Sequence, residues 1–286
     1  MRVVLVKKKT LYTRFSENVE SSDLVKKKEF AQAKKSHDEY QQCVQSVLEA
    51  LEGFKIRPWV INTGQAFDSR GTDLVITVGG DGTLLSASHH VGSNIPVLAI
   101  KGGRRTARPS SVGCLCSPLV LKKKTQNEVR GKAAVLGVAR HLTDNSTLGI
   151  NSISRMEVLV RGKSVSKRVL NEALFSHICP AAMSRMIFQG NHYSSSGVWV
   201  GTGAGSTGAL ISAGGAIRPL NDTNLQAVIR EPFNHPPVQL VAERFKLSNK
   251  MTEAVLYLDG PYLQVPVGFG DTVTFKVSKE PLMLAK

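Results

Sequence analysis

Leu74-Val75-Ile76-Thr77-Val78-Gly79-Gly80-Asp81-Gly82-Thr83 decides how this chain is read, because a strand, a glycine turn and a helix start follow one another within it. The apolar, β-branched run Leu74–Val78 has the composition of a strand buried on both faces. Gly79, Gly80 and Gly82 let the backbone come close to a phosphate, and the helix that follows presents unpaired N–H groups and a positive dipole end. Asp81 is the unexpected member, since a carboxylate repels phosphate. It fits if Asp81 accepts a proton from a substrate hydroxyl while backbone amides hold phosphates. A plain Asp-Gly turn is the competing reading.

Working outward, Leu84–Val91 reads as a helix and Val97–Ile100 as the next strand, which completes a βαβ unit. Upstream, Val3–Val6 and Trp59–Ile61 read as further strands. Ser36 with Glu39 makes a capping box ahead of Tyr40, Val44, Val47, Leu48 and Leu51 at helical spacing, and Gly53 ends that helix. Between 101 and 118 the composition changes to a basic loop, Lys101-Gly102-Gly103-Arg104-Arg105 and on to Arg108, then Pro109-Ser110-Ser111. Beyond about residue 150, short alternating segments take over: Ile153–Val160, Ser164–Ile178, Met183–Gln189, Val198–Gly201, Glu253–Leu258 and Thr272–Val277. Their spacing predicts a mainly β second domain.

The 286 residues carry 37 Lys+Arg against 22 Asp+Glu, a net charge of +15 with pI near 9.8. Such a balance favours anionic ligands. The lysine runs at Lys7–Lys9, Lys26–Lys28, Lys34-Lys35 and Lys122–Lys124 come with no helix-turn-helix, zinc-finger or RNP pattern, and aromatics are only 6%. Nucleic acid is therefore not expected as a partner, and phosphorylated small molecules are. No stretch nears the roughly eighteen consecutive apolar residues of a membrane helix, and the N-terminus lacks the order of a signal peptide, so no membrane partner and a cytoplasmic address are the expectations. Cys43, Cys114, Cys116 and Cys179 are too few for a disulfide scaffold, and neither they nor the seven histidines have metal-cage spacing. No metal ligands from protein side chains are expected.

Two other phosphate signatures compete. Gly203-x-Gly205-x-x-Gly208 follows Val198–Val200, precedes Ala209–Ile211, and has Asp222 downstream, matching a dinucleotide fingerprint and an NAD(P)-dependent oxidoreductase. Gly162-Lys163-Ser164 echoes a Walker A ending, but Glu157 stands at the first glycine position, so a hairpin turn is the better reading. A non-catalytic nucleotide-binding protein is a third class, against which the presence of Asp81 speaks.

Val78–Leu85 resembles the GGDGT signature of the NAD kinase family, shared more distantly with phosphofructokinases and diacylglycerol kinases. In order behind it, Leu170–Leu174 is similar to the family's NE motif, Ser196–Thr207 with Ser212–Gly215 to its glycine-rich segment, and Tyr257–Gly260 to its DG strand. The resemblance spans roughly residues 70 to 280 and is strongest to the plant-type NADH kinase branch, through Ser88-His89, Cys179–Arg185, Ala204–Thr207 and Arg230-Glu231-Pro232. It implies transfer of the γ-phosphoryl of ATP, with Mg2+ or another divalent cation on the phosphates, to the adenosine ribose 2′-hydroxyl of NAD(H). It implies Asp81 as general base; Gly79, Gly80, Gly82 and Thr83 around the ATP phosphates; and Asn171, Glu172, Thr207, Gly208 and Ser212 for NAD(H). It also implies a homodimer or larger homo-oligomer.

This chain departs from the family at several positions. Lys101 stands where the family has asparagine, Cys114 replaces an arginine or histidine, Ala209 a tyrosine, and Ser196 an aspartate that the plant branch also lacks. The basic loop after Lys101 could supply phosphate contacts in place of those lost. The expected architecture is an α/β, parallel-sheet phosphate-binding domain over 1–118, a mainly β dinucleotide-binding domain over 119–265, and a tail, 266–286, that the resemblance returns to the first domain.

Overall fold

The computed structural model describes residues 1–15, 24–102, 149–261 and 263–285. The expected basic loop from Gly103 to Arg108, together with Cys114, Cys116 and Lys122–Lys124, lies outside the described residues.

The N-terminal part is built on a six-stranded sheet. Strands β1 (Val3–Lys7), β2 (Trp59–Asn62), β3 (Leu74–Gly79) and β4 (Pro96–Lys101) run parallel, in the order β2-β1-β3-β4. β3 is buried along its whole length, because helices cover both of its faces. One face packs on the helix α2 (Leu24–Gly53) through Tyr40, Val44, Val47 and Leu51. The other packs on α3 (Asp81–Ser88) through Leu84, Leu85 and Ala87. A short helix, α1 (Leu11–Phe15), precedes α2.

The helix expected to begin at Ser36 begins twelve residues earlier, at Leu24, with Ser36 and Glu39 inside it. Residues 24–35 contain Lys, Glu, Gln and Ala, good helix formers, and no Gly or Pro to stop propagation. Only the later turns carry the apolar face that periodicity detects.

The C-terminal part is a sandwich of two antiparallel six-stranded sheets. One holds β6 (Met156–Val160), β7 (Lys163–Val169), β9 (Ser184–Phe188), β10 (Asn191–Ser195), β14 (Arg244–Asn249) and β17 (Thr272–Val277). The other holds β8 (Glu172–His177), β11 (Val198–Gly201), β12 (Leu225–Ile229), β13 (Val238–Ala242), β15 (Ala254–Leu258) and β16 (Leu263–Val267). Phe188, Phe245 and Phe275 of the first meet Phe175, Val200 and Leu256 of the second in one core. Gly162-Lys163 forms the expected hairpin, with Arg161 and Gly162 at φ 51° and 76° joining β6 to β7.

Two expected strands are broken in the structure. Ile153–Val160 divides at Ser154-Arg155 into β5 (Ile150–Ile153) and β6, which belong to different sheets. Ser164–Ile178 divides at Leu170-Asn171 into β7 and β8. Within the segment expected as a returning tail, β17 stays in the sandwich, and β18 (Leu282–Ala285) joins the first sheet, parallel to β4 and antiparallel to β5.

The break at Arg155 has a physical cause. Its side chain is fully buried, and its guanidinium donates to four carbonyls: Ser88 (2.9 Å) and Val91 (3.0 Å) at the end of α3, and Glu280 (2.6 Å) and Pro281 (3.0 Å) just before β18. Burial, with the charge of Arg168 adding to it, brings its pKa down to about 10. Arg155→Met keeps an unbranched apolar stem but abandons four buried carbonyls. It is expected to lower stability by about 3–5 kcal/mol, measured by urea unfolding.

Candidate functional site

The glycine turn at the end of β3 is shaped by what surrounds it. The Tyr40 hydroxyl accepts the Lys8 N–H (2.8 Å) and donates to the Val78 carbonyl (3.0 Å), which anchors the strand one residue before Gly79. Gly79 has no room for a Cβ, which would overlap the Thr83 hydroxyl oxygen. The Thr83 side chain therefore folds back over the turn, and its N–H bonds the Gly80 carbonyl at 3.0 Å. Gly80 is exposed, and a Cβ there would meet nothing. Asp81 is half-buried at the first position of α3, at the end of the helix that attracts anions. The turn thus has one glycine needed for packing and one facing open space, with a carboxylate beside it.

The second group of predicted residues is organised by Asp259. Its buried carboxylate accepts three backbone N–H groups, from Leu170 (2.7 Å), Asn171 (2.7 Å) and Glu172 (3.2 Å), while its own N–H donates to the Glu172 carbonyl (2.9 Å). Asp259 adopts φ 52° and Gly260 φ 90° where the chain leaves β15, a turn that an Asp-Gly pair suits. His89, directly after α3, places Nε2 3.0 Å from Asp259 Oδ2. That nitrogen makes no aligned hydrogen bond, so the contact is electrostatic. Arg168 adds a hydrogen bond to the His89 carbonyl at 3.4 Å and an ion pair to Glu280 at 2.8 Å.

The glycine-rich segment docks against the same backbone. The Thr202 N–H donates to the Asn171 carbonyl (2.9 Å), and its hydroxyl donates to that of Leu170. A Cβ on Gly205 would overlap the Asn171 carbonyl oxygen, and one on Gly203 the Pro219 carbonyl oxygen. These glycines serve close packing. β11 runs antiparallel to both β8 and β12, and only a short 3-10 turn, Ala204–Thr207, and a single helical turn, Ala209–Ser212, follow it. The dinucleotide fingerprint needs a parallel βαβ unit and a full helix, so the oxidoreductase reading of Gly203, Gly205 and Gly208 is set aside. Thr207 and Gly208 are half-buried, and exposed Ser212 donates its hydroxyl to the Gly208 carbonyl (3.4 Å).

Leu84 of α3, Leu170 and Ala204 share one apolar cluster, so the Gly79–Thr83 helix, the Asn171-Glu172 segment and the Ala204 turn are packed together. Asn171 is 4% exposed, and its Oδ1 is buried with no hydrogen-bond partner. Glu172 Oε2 is in the same situation. Burial, with Asp259 adding a like charge, pushes the Glu172 pKa up to about 8. At neutral pH its carboxyl is therefore largely protonated and offers a donor as well as an acceptor. Buried polar atoms left without a partner are of the kind that a polar ligand can satisfy. Among the described residues, no three His, Cys, Asp or Glu side chains converge to hold a metal ion.

Sequence reasoning missed Arg155, Arg168 and the link from His89 to Asp259, none of which has a local pattern. Asp259 carried a signal in its Asp-Gly pair, but its task is set by three amides almost ninety residues away.

Residues 3–107 match the family model of the ATP-NAD kinase N-terminal domain. A probable NADH kinase of Oryza sativa subsp. japonica is 33% identical over 219 residues, covering 70% of this chain and 67% of the rice protein. The NADH kinase of Arabidopsis thaliana is 28% identical over 224 residues, covering 71% and 69%. Among solved structures, an NAD kinase from Archaeoglobus fulgidus in complex with ATP superposes with TM-score 0.66 at 19% identity, covering 100% of this chain and 94% of that one. Yeast NADH kinase complexed with NADH gives TM-score 0.65 at 15% identity, covering 100% and 83%. At those identities the two structures speak to the fold.

Two outcomes follow from this geometry. Gly205→Ala drives a Cβ into the Asn171 backbone and should lower Tm, read by thermal melting. The folded chain binds the Glu172 proton more tightly than the unfolded one, where the group titrates near 4.5. Its contribution to stability is complete below that pH and lost as pH rises through about 8. Tm should therefore fall as pH rises from about 4.5 to about 8 and level off above that, and less so in Glu172→Gln.

Proposed function

Because the chain belongs to the NAD kinase family, we propose that it phosphorylates NAD(H) from ATP in the cleft bounded by the Gly79–Thr83 turn and the Asn171-Glu172 segment. The observation that carries this reading is the placement of Asp81: a carboxylate at the first position of α3, next to a glycine that faces open space. A group that only bound phosphate would not be acidic. A group that must take a proton from a hydroxyl while phosphates sit on the helix end has to be a base.

In this mechanism Gly79, Gly80, Gly82 and Thr83 hold the donor phosphates against the helix N-terminus. Asp81 accepts the proton of the ribose 2′-hydroxyl as that oxygen attacks the γ-phosphorus and the bond to the departing diphosphate breaks. Asn171 Oδ1 and the Glu172 carboxyl, the orphaned pair, take the polar groups of the dinucleotide, and Thr207, Gly208 and Ser212 border its adenosine half. A divalent cation such as Mg2+, riding on the donor phosphates, would neutralise charge during transfer. Closure of the cleft around both nucleotides would exclude the water that otherwise hydrolyses ATP. We further read the working form as a homo-oligomer, on the strength of the family resemblance.

The test is formation of NADP+ from NAD+ and of NADPH from NADH with ATP and Mg2+, by wild type beside Asp81→Asn. Product from the wild type and at least about a hundredfold lower kcat in the variant is expected. Equal rates would remove Asp81 from the chemistry.

A further inference from the structure

Lys101 is the residue of the cleft to which neither the family's chemistry nor the reading above gives a task. It is the last residue of β4, it is exposed, and it stands in register with Gly79, the first glycine of the phosphate turn, on the neighbouring strand. The Gly102 N–H donates to the Gly79 carbonyl at 3.0 Å, which ties the two strand ends together directly at the turn.

The face on which Lys101 lies follows from strand alternation. Along β4, Leu98 and Ile100 belong to the core under α2, and Gly102 abuts the Tyr40 ring on that same side. Val97 and Ala99 belong to the core under α3, together with Leu170 and Ala204. Lys101 continues the second series. Its in-register neighbour Gly79 confirms the side, because a Cβ there would strike Thr83 of α3. The lysine therefore sits on the face that carries Asp81 at one border and the Asn171-Glu172 segment and Ala204 turn at the other.

The charge pattern of that space gives Lys101 a purpose. Among the described residues, that face carries the acidic Asp81, Glu172 and Asp259, with His89 against Asp259. Arg155 and Arg168 are engaged with carbonyls and Glu280, and Arg218 is paired with Asp222. Lys101 makes no ion pair among the described residues. A cleft that receives several phosphate charges beside an Asp needs a cation there, and a lysine on a flexible stem is a compact point charge for that work.

We propose that Lys101 is a substrate-contacting cation at the end of β4, neutralising the polyphosphate held over the Gly79–Gly82 turn. The inference rests on the kinase reading for its setting, but its test is kept separate by measuring binding as well as turnover. Wild type, Lys101→Met and Lys101→Arg are titrated with ATP, inorganic tripolyphosphate and NADH, and their kcat, KM and Tm are recorded. Lys101→Met should weaken polyphosphate binding about 10-fold to 100-fold, Lys101→Arg should restore most of it, and Tm should stay unchanged, since the side chain is exposed. Loss confined to ATP and tripolyphosphate is the expected result; loss confined to NADH would overturn the inference, because the phosphates over the turn are the donor's. Affinities for all three within twofold of wild type would overturn the inference. A wild type that binds ATP but transfers nothing would sink the kinase reading and leave the binding comparison decisive for Lys101. A wild type that binds none of the three would overturn both.

Discussion

A guanidinium with no water around it must find hydrogen-bond acceptors for its N–H groups, and Arg155 finds four carbonyls in two distant stretches of chain. Much of the architecture depends on that requirement. It stops a run of β-forming residues at 154–155, sends β5 to one sheet and β6 to another, and holds Glu280 and Pro281 where β18 can enter beside β4. It also caps the C-terminal end of α3 with positive charge, the sign that end of a helix favours. The full desolvation cost of the guanidinium is met only when all three chain regions are in place.

Asp259 does the complementary task one layer away. Its carboxylate satisfies three consecutive amides at the Leu170–Glu172 break, where the backbone changes sheets and would otherwise leave donors buried and unpaired. His89 brings that negative charge to the end of α3. The helix is thus fastened at its C-terminal end by Arg155, Arg168 and the His89–Asp259 contact, while its N-terminal end carries Asp81 beside the open space over Gly80. In the proposed reading the reacting groups sit on an element whose opposite end bears the fastening, the arrangement that holds such groups in position.

The glycines show how one residue type serves two ends in one site. At Gly79, Gly203 and Gly205 neighbouring atoms already occupy the place of a Cβ, whereas at Gly80 that place is open. A sequence reading assigns all of them to phosphate or dinucleotide contact, since a glycine pattern does not record which side of the backbone is crowded. The same blindness produced the competing oxidoreductase reading: Gly203-x-Gly205-x-x-Gly208 has the right spacing, and only the antiparallel course of β11 shows that no parallel βαβ unit surrounds it.

Legible along the chain are the βαβ start, the strand-turn-helix at Leu74–Thr83 with its out-of-place carboxylate, the mainly β second half and the order of the family motifs. Each of these is written in local periodicity or in a contiguous string of residues. Tertiary structure alone decided that α2 runs on through its polar turns, that the last strand completes the first sheet, and that Arg155 is a buried junction and not a surface charge. It also decided that Glu172 keeps a proton near neutral pH and that Lys101 lies on the face of Asp81. Burial, desolvation and the side of a strand are sums over residues far apart in the chain, and no window of sequence contains them.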